Sequence, residues 1–342
     1  MEPQRPRCGF LAIHGGVAVA SGKTSPMDRD ASSMNRYFRE LSVLAALIVV
    51  LIALAIFAPP FFQPQPLLSL VTREAPTLIV ACGMALVIIA REIDISVGSQ
   101  FSVCSVCAGL LAARGWPLAL VLPVAIGTGA LLGAINGALV AGLRLPSIVV
   151  TLATMVTLRQ GLNLVRQGEF VNMPESFQWF GLSQVGGQWT LVIAALVVLV
   201  ALGLAMRHLA AGRWIYAVGT DAEAARLAGL KPQWITFAVF VFLGALTGLA
   251  AVMNLVQSPQ VQPAVGEGLE LKVIAAVVVG GVAISGGRGN LWGGFVGLLL
   301  LTCVSPALTH LHIEAYWEKA IQGAIILLAV VADGIRQKKL NR

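Results

Sequence analysis

Charge is scarce in this chain. Of its 342 residues, 23 are Lys or Arg and 16 are Asp or Glu, together 11%. Soluble domains carry roughly a quarter charged residues, so a water-soluble globular protein is excluded. Low hydrophobicity is lacking too: 57% of residues are hydrophobic and the mean hydropathy is +0.85. That excludes disorder, which needs few apolar residues. Cysteines number five. Four of them (Cys82, Cys104, Cys107 and Cys303) lie in apolar runs and only Cys8 does not, which excludes a disulfide framework. Cys104 and Cys107 form a C-x-x-C, read as small packing residues on one face of a buried helix. His310 and His312 have no further ligands in sequence reach, so no metal site is expected. No nucleophile–base set appears either, which disfavours a membrane enzyme, and no catalytic or cofactor-binding residue is expected.

The N-terminal stretch Cys8–Ala20 is only weakly apolar and is broken by His14-Gly-Gly16, so it does not read as a signal peptide. Ser21-Gly-Lys-Thr24 is not a phosphate loop. That motif needs Gly at position 17, where Val17 stands, and no strand–loop–helix context surrounds it. Met27 or Met34 is a candidate start, which leaves residues 1–26 as either a disordered tail or no part of the native protein.

What is abundant is apolar runs separated by short polar breaks. A membrane helix needs about 20 apolar residues, and ten spans are predicted: 41–58, 75–90, 97–113, 117–140, 145–165, 190–206, 233–256, 273–287, 289–309 and 320–332. Arg159 is the single Asp, Glu, Lys or Arg inside these runs. The expected fold is an all-α polytopic membrane bundle of about ten helices, some of them broken. Residues 1–40 form an N-terminal tail, 41–335 the transmembrane domain with a loop at 207–233, and 336–342 a basic tail. With the N-terminus inside, 17 of the 23 basic residues fall on the inner side and six (Arg73, Arg114, Arg159, Arg166, Lys272, Lys319) on the outer. Basic residues concentrate on the cytoplasmic side, so both termini are expected in the cytoplasm. The net +7 is therefore a topology signal, not a nucleic-acid footprint.

Small residues recur every fourth position at Ala125, Gly129, Gly133, Gly137 and Ala141, at Gly289, Gly293 and Gly297, and at Gly244 and Gly248. Such faces let helices approach closely in lipid, here within one bundle. Pro59-Pro60, Pro64 and Pro66 are expected to end the first span in an extended loop. Gly98 and Gly286-Gly287 interrupt apolar runs, and such breaks are expected to face the bundle interior.

Two segments carry chemistry. Arg91-Glu-Ile-Asp-Ile-Ser-Val-Gly-Ser99 places two acids and a base at a short turn, where they must be solvated or paired. Asp94, Ser96 or Ser99 is expected to cap the next helix, or the turn lines a solute path. In the 207–233 loop, Asp221–Leu230 reads as a short amphipathic helix, N-capped by Asp221 and ended by Gly229. It lies on the membrane surface or docks a partner.

Five stretches in register carry a resemblance. They are Ile93-Asp-Ile-Ser-Val-Gly98; Pro146-Ser-Ile-Val-Val-Thr-Leu-Ala-Thr154; Gly212-Arg-Trp-Ile-Tyr-Ala-Val-Gly219 with Glu223-Ala-Ala-Arg-Leu-Ala-Gly229; Gly266–Ala276; and Tyr316-Trp317. Over roughly residues 40–335 the chain resembles permease subunits of sugar ABC importers of the ribose type. Gln160 departs from the family pattern, which usually places Gly after the Arg159 position. The resemblance implies a multi-pass protein of the bacterial inner membrane that moves a monosaccharide inward by alternating access. The implied partners are a second permease copy or a sister permease, cytoplasmic ABC ATPase subunits that use ATP and Mg, a periplasmic sugar-binding protein, and the lipid bilayer. It also implies an ATPase-coupling loop with Gly212, Arg213, Gly219, Glu223, Arg226 and Gly229 as its key residues.

A sugar needs hydrogen-bonding partners in an otherwise apolar path. Candidates are Asp94, Ser96, Ser105, Asn136, Thr151, Thr154, Asn163, Asn254 and Gln257. Gly266–Ala276 is similar to autoinducer-2 permeases. Phe177–Leu182 and the last third are similar to rhamnose permeases, so rhamnose or a similar deoxy sugar, or autoinducer-2, is favoured. The rival is an ion-coupled secondary transporter, which usually needs an intramembrane acid or base.

Overall fold

The computed structural model describes residues 43–177 and 184–310, with 314, 317, 319–324, 327 and 331. These belong to one unit, residues 39–342. The expected tails 1–40 and 336–342, Phe180–Leu182, His312, Tyr316 and part of the 320–332 run lie outside the described residues.

The helices run in order α1 (Val43–Phe57), α2 (Pro64–Ile89), α3 (Val97–Ala113), α4 (Leu118–Gly137, prolonged by a π turn at Ala138–Gly142), α5 (Ser147–Arg166), α6 (Gln184–His208), α7 (Ala210–Thr220), α8 (Ala222–Leu227), α9 (Pro232–Leu255), α10 (Leu269–Val279) and α11 (Leu291–His310). Prolines mark several starts. Pro64 and Pro232 stand in first turns, where a missing N–H costs least, and α4 and α5 begin directly after Pro117 and Pro146. Six helices among the described residues (α2, α4, α5, α6, α9 and α11) are long and apolar enough to cross a membrane; α1 and α3 are apolar but shorter. The chain is thus an all-α multi-pass bundle.

At its centre is α2, with 94% of its apolar window buried inside the protein against 11% for α5. α5 therefore turns most of its surface outward. The small-residue stripe of α4 packs on α9: a β-carbon on Gly129 would meet the carbonyl oxygen of Gly244, and one on Gly133 that of Phe240. Gly293 and Gly297 of α11 press in the same way on Gly280, just past α10, and on Ala276 of α10. Two short strands, β1 (Val171–Asn172) and β2 (Gln260–Val261), pair antiparallel.

Four expectations need correction. Pro59–Pro66 is not extended: Pro59–Phe62 is a 3-10 turn and α2 starts at Pro64, eleven residues before the predicted span. The 273–287 run is not one helix, because α10 stops at Val279, and Gly281, Gly286 and Gly287 take positive φ in the irregular segment beyond. The 207–233 loop contains a helix, α7, before the expected one. Finally, none of Asp94, Ser96 and Ser99 caps α3: Ser96 sits at the cap position without a side-chain cap bond, and Asp94 is engaged otherwise.

Candidate functional site

The turn between α2 and α3 folds onto itself. Asp94 Oδ1 accepts from the Ser96 amide at 2.8 Å and from the Ser96 hydroxyl at 2.6 Å, a local Asx turn. Gln100, one helical turn on from Ser96, donates from Nε2 to Asp94 Oδ2 at 3.0 Å and to Ser96 Oγ at 2.8 Å. From α4, Asn136 Nδ2 reaches Ser96 Oγ at 2.8 Å and Asp94 Oδ2 at 3.4 Å. From α5, the Thr154 hydroxyl donates to Asn136 Oδ1 at 2.8 Å. Thr151 bonds back to Ser147 O at 2.8 Å, and the Ser147 hydroxyl accepts from the Ile93 amide at 3.3 Å. Asp94, Ser96, Gln100, Asn136 and Thr151 are all fully buried.

Five candidates for the solute path therefore do come together, on α4, α5 and the turn before α3. They form a closed cluster tying these elements, with only Thr154 partly exposed. Burial pushes the Asp94 carboxyl above the ordinary carboxylate range, opposed by hydrogen bonds from Ser96, Asn136 and Gln100. Glu92 is raised by burial as well, against a hydrogen bond with Ser147 and the charge of Arg91. The remaining candidates lie elsewhere. Ser105 is buried on α3 without a side-chain partner among the described residues. Asn254 and Gln257 are half-buried at the end of α9, where Gln257 bonds to Met253 O at 3.0 Å, and Asn163 is exposed on α5.

The short amphipathic helix forms as expected. Asp221 Oδ1 accepts from the amides of Glu223 at 2.9 Å and Ala224 at 3.0 Å, the N-cap geometry, and Gly229 turns the chain at φ +87°. Glu223 and Arg226 pair at 2.8 Å on the exposed side of α8. Arg213 is exposed and bonds to His208 O. Gly212 and Gly219 are buried: a side chain on Gly212 would run into the backbone of Met206, and one on Gly219 into Ile89 O and Gly287 N. The Gly287 amide itself donates to Ile89 O at 2.8 Å, and the Tyr216 hydroxyl donates to Gly289 O at 2.8 Å. Thus α7 rests on the end of α2, two residues before Arg91, whose φ of +70° opens the turn bearing Asp94, and α8 follows directly from α7.

Sequence reasoning missed a third feature. Lys272 of α10 pairs with Glu74 of α2 at 2.7 Å, and Arg159 of α5 pairs with Glu270 of α10 at 3.2 Å. Glu74 and Glu270 are buried. The helices run through these charges because each acid has a base beside it. Next to them, Ser99, Ser102, Arg159, Asn163, Pro263, Ala264 and Glu267 line a cleft of about 40 Å³. A larger cavity, about 270 Å³, lies between Trp116, Pro117, Pro174, Phe177 and Val256, but its lining is mainly apolar.

The site is thus a buried polar cluster in a multi-pass helical membrane bundle, with α7 seated on the helix end that leads into its turn. Residues 67–330 match the family described as the branched-chain amino acid transport system / permease component; the match spans well over half the chain, which belongs to that family. The chain is 32% identical to the ribose import permease protein RbsC of Escherichia coli (strain K12) over 321 residues, 91% of this chain and 100% of that one. It is 33% identical over 305 residues to the autoinducer 2 import system permease protein LsrC of Enterobacter sp. (strain 638), 89% of each. To the probable ABC transporter permease protein y4mJ of Sinorhizobium fredii (strain NBRC 101917 / NGR234) it is 29% identical over 302 residues, 88% of this chain and 90% of that one. No solved structure matches. The resemblance to ribose-type ABC importer permeases thus holds, and the ion-coupled alternative is not favoured.

Proposed function

We propose that this chain is the membrane-spanning half of an importer that moves a monosaccharide from periplasm to cytoplasm by alternating access. It sits in the bacterial inner membrane with ten spans and both termini in the cytoplasm, in line with its basic-residue bias. A second permease copy or a sister permease completes the pore. A periplasmic binding protein delivers the sugar, and cytoplasmic ABC ATPase subunits bind and hydrolyse ATP with Mg. The substrate is a compact polyhydroxylated solute: ribose and autoinducer 2 are named by the relatives, and rhamnose or a similar deoxy sugar is suggested by local sequence.

The observation that carries this reading is the seating of α7, which bears α8 at its end. Gly219 touches Ile89 and Gly287 backbone to backbone, while Glu223, Arg226 and Gly229 are exposed and free to meet an ATPase. ATPase closure would push on α8, and the close-packed Gly219 contact would pass that displacement to the Asp94 turn as rigid-body motion. Co-purification tests it: the ATPase should travel with the wild-type chain and be lost when Glu223 and Arg226 are both replaced by Ala. Retention of the ATPase by that variant would contradict the assignment.

A further inference from the structure

We propose that the cleft where α3, α5 and the 262–268 segment meet holds one hydroxylated edge of the transported sugar; this rests on the importer reading above and gives the solute a site. The Asp94 cluster is a poorer host, because Asp94, Ser96 and Asn136 already bond to one another and all three are fully buried. The cleft differs on both counts.

Its frame is fixed. The Gly266 amide donates to Ser102 Oγ at 3.0 Å, the Ser99 hydroxyl donates to Met155 O at 2.9 Å, and Glu270 holds Arg159 at 3.2 Å. Gly98 and Gly266 touch backbone to backbone, and a side chain on Gly98 would strike Glu270. Its lining groups keep unused capacity. Ser102 accepts in its bond to Gly266, so its hydroxyl hydrogen is available to donate. Arg159 engages Glu270 through Nη2 alone and is 30% exposed. The Asn163 amide has no side-chain partner among the described residues, and the Glu267 carboxylate is more than half exposed, with Lys319 no nearer than 4.0 Å.

Donors and acceptors thus converge from three elements, beside the apolar faces of Pro263 and Ala264. A sugar hydroxyl both donates and accepts, and a pair of them fits such a mixed set. Two bases (Arg159, Lys319) face two acids (Glu267, Glu270), so local charge balances and a neutral polyol is favoured over an anion. The volume of about 40 Å³ suits a hydroxyl or a water and not a whole ring. The ring would lie against the exposed rim formed by Asn163 and Glu267.

The test uses the chain reconstituted in proteoliposomes with its ATPase and a saturating amount of its binding protein. Asn163→Ala and Glu267→Gln alter exposed side chains, so neither should disturb folding. Each should cut sugar uptake roughly tenfold, the equivalent of one hydrogen bond of about 1.4 kcal/mol, while ATP hydrolysis continues, so more ATP is used per sugar moved. An unchanged ratio of hydrolysis to uptake in both variants, whether the two rates hold or fall together, would overturn the proposal. A wild-type assembly with no ATP-driven uptake would instead overturn the importer reading, and this site with it.

Discussion

Gly219 lies so close to Ile89 that a β-carbon on the glycine would overlap the Ile89 carbonyl oxygen. The contact joins α7 to the last turn of α2, the most buried helix among the candidate spans. Nothing flexible lies between them. Gly219→Ala must therefore displace backbone, and overpacking of this kind costs about 1–3 kcal/mol. The expected outcome is a chain that still inserts but whose ATP-driven uptake falls at least about tenfold. Uptake assays on proteoliposomes matched for protein content check it.

Glu223 and Arg226 form an exposed i,i+3 pair, 73% and 63% exposed respectively, and such pairs add at most about 0.5 kcal/mol. Replacing both by Ala should leave the thermal midpoint in detergent essentially unchanged while ATPase binding is lost. A fall in midpoint matching the loss of binding would mean that the pair holds the fold instead.

Lys272 and Glu74 make a largely buried pair across 198 positions of sequence. Lys272→Met leaves a buried carboxylate alone, at a cost of about 3–5 kcal/mol. Adding Glu74→Leu should recover most of the lost stability, since an apolar pair can replace a buried ion pair. Thermal unfolding of the two variants in detergent measures the difference.

Asn136 donates to both Ser96 and Asp94 and accepts from Thr154. Asn136→Ala strips partners from buried groups, and each unsatisfied group costs about 1–3 kcal/mol. The Asp94 carboxyl is raised by burial, so the fold favours its protonated form. Its contribution to stability is present at low pH and is lost as pH rises through the raised value. Asp94→Asn should flatten the fall of thermal midpoint with rising pH; the slope is the readout, since the amide also disturbs the donors around it.

These predictions rest on features of unequal visibility in sequence. α8 was legible because its signals are local: Asp221 before the helix, Glu223 in its first turn and Gly229 after it. The close-packing faces of α4 and α9 were legible because glycine recurs at a fixed spacing; that the two faces meet each other is shown only by the fold. The ion pairs were not, because Glu74 and Lys272 each sit at the edge of an apolar run and read as its end; only the fold shows that they meet and let both helices continue. The break at Gly280 was hidden for a similar reason. Valines and alanines flank it on both sides, and the close approach of Gly293 from α11 marks it. Gln100 went unnoticed in an apolar helix, although its place four residues after Ser96 was a usable signal. Of the path candidates, which the sequence offers as one undivided set, Asp94, Ser96, Asn136, Thr151 and Thr154 meet in the fold, whereas Asn163, Asn254 and Gln257 lie elsewhere. That they close on one another follows from distances no spacing rule supplies.

The most direct test of the account is labelled-sugar uptake into proteoliposomes containing this chain, with and without its ATPase and binding protein. The account predicts uptake only when both partners and ATP are present. Uptake by the chain alone, driven by a proton or sodium gradient, would contradict it.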